Sequence, residues 1–220
     1  MAFDVNEILK SREIKALLEA SALQMNALGY TEHSFRHCRL VSNKCGEILS
    51  LLGADDEEIV LARVAGYIHD IGNAVNRNNH AETGALLAYD LLLRKGMVYH
   101  DAVMIMMAIA NHDEGVGIPI NRVGAALILS DKADVHRSRV TNKEIATYDI
   151  HDRVNYAATK STLEVDPVLK TATLRIEIDT TISSIMDYFE IFLNRMKMCR
   201  NAAIFLELKF ILLINGIHLL

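Results

Sequence analysis

From Asp55 to Gly72 the chain spells out one helix with a polar end. Asp55, with Glu58 three residues later, has the form of a capping box, and Ile59, Val60, Leu61, Val64, Ala65 and Ile68 follow at helical spacing. The run then delivers an imidazole and a carboxylate side by side, His69-Asp70, before Gly72 breaks it. Two adjacent ligand-type residues at a helix end can hold a cation if further His, Asp or Glu side chains arrive from elsewhere. Here His37, His80, His112 and Asp131 are available.

The flanking sequence is helical too. Residues 5 to 28 carry apolar side chains at mostly helical spacings up to Gly29, and a second helix is expected from about Thr31 to Leu52, with Gly53 as its stop and His33 one turn before His37. Asn73 to Asn79 is polar and irregular. A fourth helix opens at His80 and ends near Gly96, a Met-rich fifth runs from about His100 to Asn111, and a sixth starts near Asn121 and leads to Asp131, Lys132, Asp134, His136, Arg137 and Arg139. The glycines of Glu114 to Pro119 mark a loop, because no strand precedes them and a dinucleotide fingerprint would need a third.

After about Val154 the period changes. Leu174, Ile176 and Ile178 alternate with Arg175, Glu177 and Asp179, as in a half-buried strand; an amphipathic helix is expected from about Thr180 to Arg200, and a further strand within Ile204 to Ile214. The fold expected is mainly α, with a helical domain over residues 1–153 and a small C-terminal α+β appendage of strand, strand, helix and strand over 154–220. Ile185, Tyr188, Phe189 and Phe192 of the appendage helix suggest either packing on the local sheet or a homodimer face.

Composition narrows the function classes. A net charge of −5 argues against a surface built to grip nucleic acid, yet a metal site can supply positive charge locally, so small phosphorylated substrates fit. Three cysteines without a CxxC pair read neither as a disulfide framework nor as a zinc finger, and point to a reduced, cytoplasmic setting. The apolar run from Ala202 to Leu220 is interrupted by Glu207, Lys209, Asn215 and His218, which fits a buried strand rather than a membrane span.

The His-Asp dipeptide is weak evidence taken alone. Nine His and 14 Asp in 220 positions would give about half of one by chance, and the chain has four. Only His69-Asp70 joins a helix running into a glycine break with another His upstream and an Asp well downstream; His100, His136, His151 and His218 read as ordinary polar residues. Imidazole and carboxylate donors without suitably spaced thiols suit Mn, Fe, Co, Ni or Zn.

His37, His69-Asp70 and Asp131, in that order, resemble the His, His-Asp, Asp ligand set of the HD-domain metal-dependent phosphohydrolases. Helix lengths and the His-Asp-Ile-Gly context are similar as well, over roughly residues 25 to 140. The resemblance implies a helical bundle and a site in which one ion takes His37, His69, Asp70 and Asp131 while a second takes Asp70, His80 and His112. Asp70 would bridge the two divalent ions, Asp70 and His69 would carry catalysis, and a bridging hydroxide would attack a phosphate ester or anhydride, expected in a nucleotide.

Two positions depart from the pattern. Many two-metal members that cleave cyclic dinucleotides have Lys where this chain has Asn73, and a second His where it has Asp113. Phosphate contacts are therefore expected from Arg77, Lys132, Arg137 or Arg139, each against an ordinary surface role. His80 to Ala85 and Ala110 to His112 also resemble the HD domain of ribonuclease Y, which makes RNA or a cyclic dinucleotide the alternative substrate. A non-catalytic metal or nucleotide sensor is the rival from another class.

Overall fold

The computed structural model describes residues 5–31, 35–115 and 117–219. The helical part comprises α1 (Val5–Leu9), α2 (Arg12–Ala27), α3 (Phe35–Leu51), α4 (Asp56–Ile68), α5 (His80–Arg94), α6 (Tyr99–Ala110), α7 (Arg122–Lys132) and α8 (Ile150–Ala157). Short 3₁₀ turns lie at Ile71–Ala74, Arg137–Arg139 and Ile145–Thr147. The appendage follows as β1 (Ala158–Asp166), β2 (Thr171–Ile178), α9 (Ile185–Phe205), β3 (Lys209–Ile214) and β4 (Ile217–His218).

Local chemistry explains where the helices start. The expected helix over residues 5 to 28 is two helices, because the Ser11 hydroxyl accepts from the Ile14 N–H and begins α2 afresh. Asp55 caps α4, accepting from the Glu58 N–H at 2.8 Å. The α3–α4 crossing is close because Gly66 has no side chain: a Cβ there would lie 2.9 Å from Ser42 Cα and 3.0 Å from Cys45 Sγ. The buried Ser42 hydroxyl completes that crossing by donating to the Arg63 carbonyl at 2.7 Å.

The sheet order is β1-β2-β3-β4, antiparallel at β1/β2 and β3/β4 but parallel at β2/β3, with α9 as the crossover that a parallel pair requires. Several expected bounds move. Ser184 and Asp187 form a capping box, so α9 starts at Ile185 rather than near Thr180; it then continues through Ala202 and Ala203 to Phe205, and the strand begins only at Lys209. Asn215 and Gly216, both with positive φ (50° and 78°), make the two-residue hairpin turn into β4. Residue 154 falls inside α8, which runs directly into β1 at Ala158.

One apolar cluster runs from Val5 to Ile214 and includes α7, α9 and the inner face of β2 and β3. Tyr188 and Phe192 are buried in it with their rings 5.3 Å apart, so this part of the amphipathic face packs within the chain. All three cysteines are buried and none is in a disulfide among the described residues. Among the described residues no helix is long and apolar enough to cross a membrane.

Candidate metal centre

Six side chains from five places in the chain meet beneath a cleft. His37 comes from the buried face of α3, His69 caps the end of α4, and Asp70 follows in the bridge conformation (φ −96°, ψ 4°) that active-site residues often adopt. His80 opens α5, His112 follows α6, and Asp131 lies in the last turn of α7. All six are buried. His33 lies outside the described residues.

Each histidine is oriented by an oxygen at its Nδ1. His69 Nδ1 is 3.0 Å from the Gly66 carbonyl, His80 Nδ1 is 3.1 Å from that of Arg77, and His112 Nδ1 is 2.6 Å from that of Ile109. His37 Nδ1 meets the Asp134 carboxylate at 2.7 Å. An imidazole nitrogen facing an acceptor oxygen carries the hydrogen, so in all four rings Nε2 is the nitrogen offered to the centre. Three of the four use the carbonyl three residues upstream, a contact made within the local chain.

Asp70 stands between two pairs of rings. Its Oδ2 lies 3.2 Å from His69 Nε2 and 3.8 Å from His37 Nε2, while its Oδ1 lies 3.7 Å from His80 Nε2 and 4.0 Å from His112 Nε2. Asp131 Oδ1 closes the first group at 3.3 Å from His37 Nε2 and 3.7 Å from His69 Nε2. The donor atoms of His37, His69 and Asp70, of His69, His112 and Asp131, and of Asp70, His80 and His112 each lie within 4.8 Å of one another. His69 Nε2 is fully buried yet makes no hydrogen bond, which a bound cation would remedy. The set therefore fits divalent transition metals, with nitrogen and oxygen donors, ring orientation and burial all suited to them.

The surroundings hold Asp70 and Asp131 firmly. Asn73, fully buried, donates to Asp70 Oδ1 at 2.9 Å and to its carbonyl at 3.2 Å, and Ser21 of α2 donates to the same carbonyl at 3.0 Å. Burial works against charge on Asp131, but Lys132, His37 and His69 outweigh it and keep the carboxyl well below its ordinary range. Burial likewise opposes charge on His69, yet Asp70 and Asp131 raise its pKa to about 10. For His112 burial and the neighbouring cations His69 and Lys132 act together and lower the pKa to about 3, and His80 is lowered chiefly by burial.

A cleft of about 530 Å³ opens above the centre. Asp70, His80, His112 and Asp131 line its floor, together with Arg77, Lys132 and Arg139 among the residues expected to contact phosphate. Arg77 places Nη1 3.1 Å from His80 Nε2 and its guanidinium 5.6 Å above the Tyr30 ring. Lys132 is buried, with Nζ 2.8 Å from Asp131 Oδ2. Arg139 donates to the Asp134 carbonyl at 2.9 Å and lies 3.7 Å from its carboxylate, which braces the group that orients His37. Arg137 is not among the residues that line the cleft; its guanidinium lies over the Tyr156 ring at 5.2 Å.

Other contributors are not legible as site residues from the sequence. Asp134 orients His37 from 97 positions away, and Glu114 and Arg195 reach the cleft from the loop after α6 and from α9. Asp149, His151, Asp152 and Asn155 of α8 and its cap form the opposite wall. Asn73 was visible only as a departure from a Lys; its burial and its two bonds to Asp70 give that amide its meaning.

A helical bundle carrying four inward imidazoles and two buried carboxylates beneath a polar cleft has the donor set of a metal centre. The chain belongs to the HD domain family, whose model matches residues 34–154 and whose members are generally metal-dependent hydrolases. It is 25% identical to the uncharacterized protein MJ1020 of Methanocaldococcus jannaschii, over 66% of this chain and 65% of that protein. It is 33% identical to Ribonuclease Y of Lawsonia intracellularis over 46% of this chain and 18% of that protein. The chain thus spans less than two thirds of the length of either relative.

Proposed function

We propose that the protein hydrolyses a phosphate ester or anhydride of a small nucleotide at a centre of two divalent metal ions. The observation that carries this reading is the placement of Asp70, whose two oxygens face separate pairs of imidazole Nε2 atoms, His37 with His69 and His80 with His112. That is the arrangement needed for a carboxylate bridging two cations. Asp131 would complete the first set and leave the second open toward the cleft. Bound ions would supply Lewis acidity toward phosphoryl oxygens and lower the pKa of an attacking water.

The protein's own residues would do the remaining work. Nδ1 contacts fix the four rings, so little reorganisation accompanies metal loading. Asn73 orients Asp70 through Oδ1. Arg77 and Lys132, on the cleft lining, would receive the non-reacting phosphoryl oxygens. The exposed half of the Tyr30 ring beside Arg77 offers a flat apolar surface for a nucleobase.

Elemental analysis followed by a hydrolysis screen over nucleotides, cyclic dinucleotides and short RNA tests the proposal. Two ions per chain and turnover of a small nucleotide are expected; Asp70→Ala should lose both metal and activity, and retained stoichiometry in that variant would overturn the assignment. A second reading, RNA phosphodiesterase, is favoured by the similarity to Ribonuclease Y over 105 residues. Preferential turnover of RNA in the same screen would select it, and a metal-free, inert protein would select a sensor.

A further inference from the structure

The cleft wall beside Asp131 contains a second polar assembly, which shares Lys132 with the metal centre. Glu114, on the loop after α6, points Oε1 at Arg195 of α9, which donates Nε to it at 2.9 Å and holds Nη2 in ion-pair contact at 2.9 Å. Lys132 Nζ lies 3.8 Å from the same oxygen and 2.8 Å from Asp131 Oδ2. The cations are well desolvated, with side-chain exposures of 5% for Lys132 and 18% for Arg195. Arg195 is held flat against Phe192, its guanidinium carbon 4.2 Å from the ring centroid.

This pairing uses little of what the cations offer. A guanidinium suits two oxygens of one anion in a fork, but here both donors converge on Oε1. Two positive side chains thus share one carboxylate oxygen, at a point one residue from a metal-ligand candidate and open to the cleft. A phosphoryl group would present separate oxygens to the Lys and to both Arg donors, and would carry more charge than the carboxylate it replaced.

The support beneath Glu114 is tight. The Gly117 N–H donates to the Asp113 carbonyl at 3.0 Å, and Gly117 leaves no room for a side chain between the Asn111 and Asp113 carbonyls and Met198 of α9. The loop therefore rests on α9. Rotation of the Glu114 side chain alone would free the position between Lys132 and Arg195.

We propose that the position held by Glu114 Oε1, between Lys132 and Arg195, is a phosphate subsite that Glu114 closes until a substrate displaces it. The substrate class is then a diphosphate or longer phosphoanhydride, with one phosphoryl group over the metal centre and a second on Lys132 and Arg195. This rests on the phosphohydrolase reading for its biological meaning, but the subsite can be tested without metal or turnover.

The probe is inorganic pyrophosphate, titrated calorimetrically into metal-stripped full-length protein. Glu114→Gln removes the competing charge at nearly constant shape and should tighten binding about tenfold, the scale of one charge-assisted hydrogen bond. Adding Arg195→Gln should abolish that gain, while Asp113→Asn, which removes a charge from the same loop beside Arg77, should give no comparable gain. If the Arg195 double variant unfolds on thermal melting, Glu114→Gln with Lys132→Gln reads the same coupling from the other cation. No gain in Glu114→Gln, a gain that survives loss of the cation, or an equal gain in Asp113→Asn would overturn the subsite. Binding as expected in a protein inert toward every phosphate substrate when metal-loaded would instead overturn the hydrolase reading alone.

Discussion

Replacing Asp134 tests the claim that ring orientation, not ligand identity alone, makes the centre. Its carboxylate lies 2.7 Å from His37 Nδ1, is buried, and is braced by Arg139 at 3.7 Å and approached by Arg36 at 3.8 Å. Burial opposes its charge, but the His37 hydrogen bond, Arg139 and Arg36 hold its pKa below the usual range, so it is ionised at neutral pH. Loss of such a partner behind a metal-binding histidine costs about 10- to 100-fold in metal affinity, or about 1.4–2.7 kcal/mol. Asp134→Asn keeps an acceptor for Nδ1–H but loses the charge, so the lower bound applies. Asp134→Ala frees the ring and should reach the upper one. Competition with a chromophoric chelator measures the affinities, and urea unfolding of the metal-free variants separates loss of fold from loss of site. An Ala variant that folds and binds metal within about twofold of the parent would refute the reasoning.

The closed packing around His80 gives a backbone test. A Cβ on Gly72 would strike the His80 carbonyl and lie 2.5 Å from Gly84 N, so Gly72→Ala should displace the start of α5, destabilise the fold by about 2–4 kcal/mol and reduce the metal count to one per chain. Unchanged urea midpoint and stoichiometry would refute this. Proton release supplies a third test: with its pKa raised to about 10 by Asp70 and Asp131 against the effect of burial, His69 carries a proton in the metal-free protein at pH 7–9 that a cation must displace. Affinity should therefore rise with pH across that window, about tenfold per unit for the one proton, and calorimetry in buffers of different ionisation enthalpy should show its release. Buffer-independent enthalpies would refute it. The same sign makes the His69 contribution to metal-free stability fall as pH rises toward 10, which a thermal melt series reads directly.

The parts of this architecture that were legible in the sequence are those encoded locally. The α4 cap at Asp55 and the glycine stops follow from helical period and residue type, whereas the grouping of His37, His69, Asp70, His80, His112 and Asp131 is suggested by the family resemblance and not by helical spacing. The break at Ser11 was masked by apolar spacing that continues through it, and the extension of α9 to Phe205 by an apolar run that suits strand or helix equally. Asp134, Glu114 and Arg195 act through contacts between distant segments. An acidic residue after α7, a loop glutamate and a helix arginine have no local signature of service to a site.

That division has a chemical counterpart. The side chains that would hold metal come from α3 through α7 and the turns that follow them, where carbonyls three residues back lock three of the four rings and only His37 relies on a distant partner, Asp134. The cleft above them is completed by residues of α8 and its cap and by Phe192 and Arg195 of α9, the crossover between the parallel strands β2 and β3. On the proposed phosphohydrolase reading, changes on α9 would alter which phosphorylated molecule is accepted while leaving the candidate metal donors untouched. In a protein with an overall charge of −5, Lys132 and Arg195 are thus placed at the cleft by packing and not by a basic surface, and each is offset there by the carboxylate of Asp131 or Glu114.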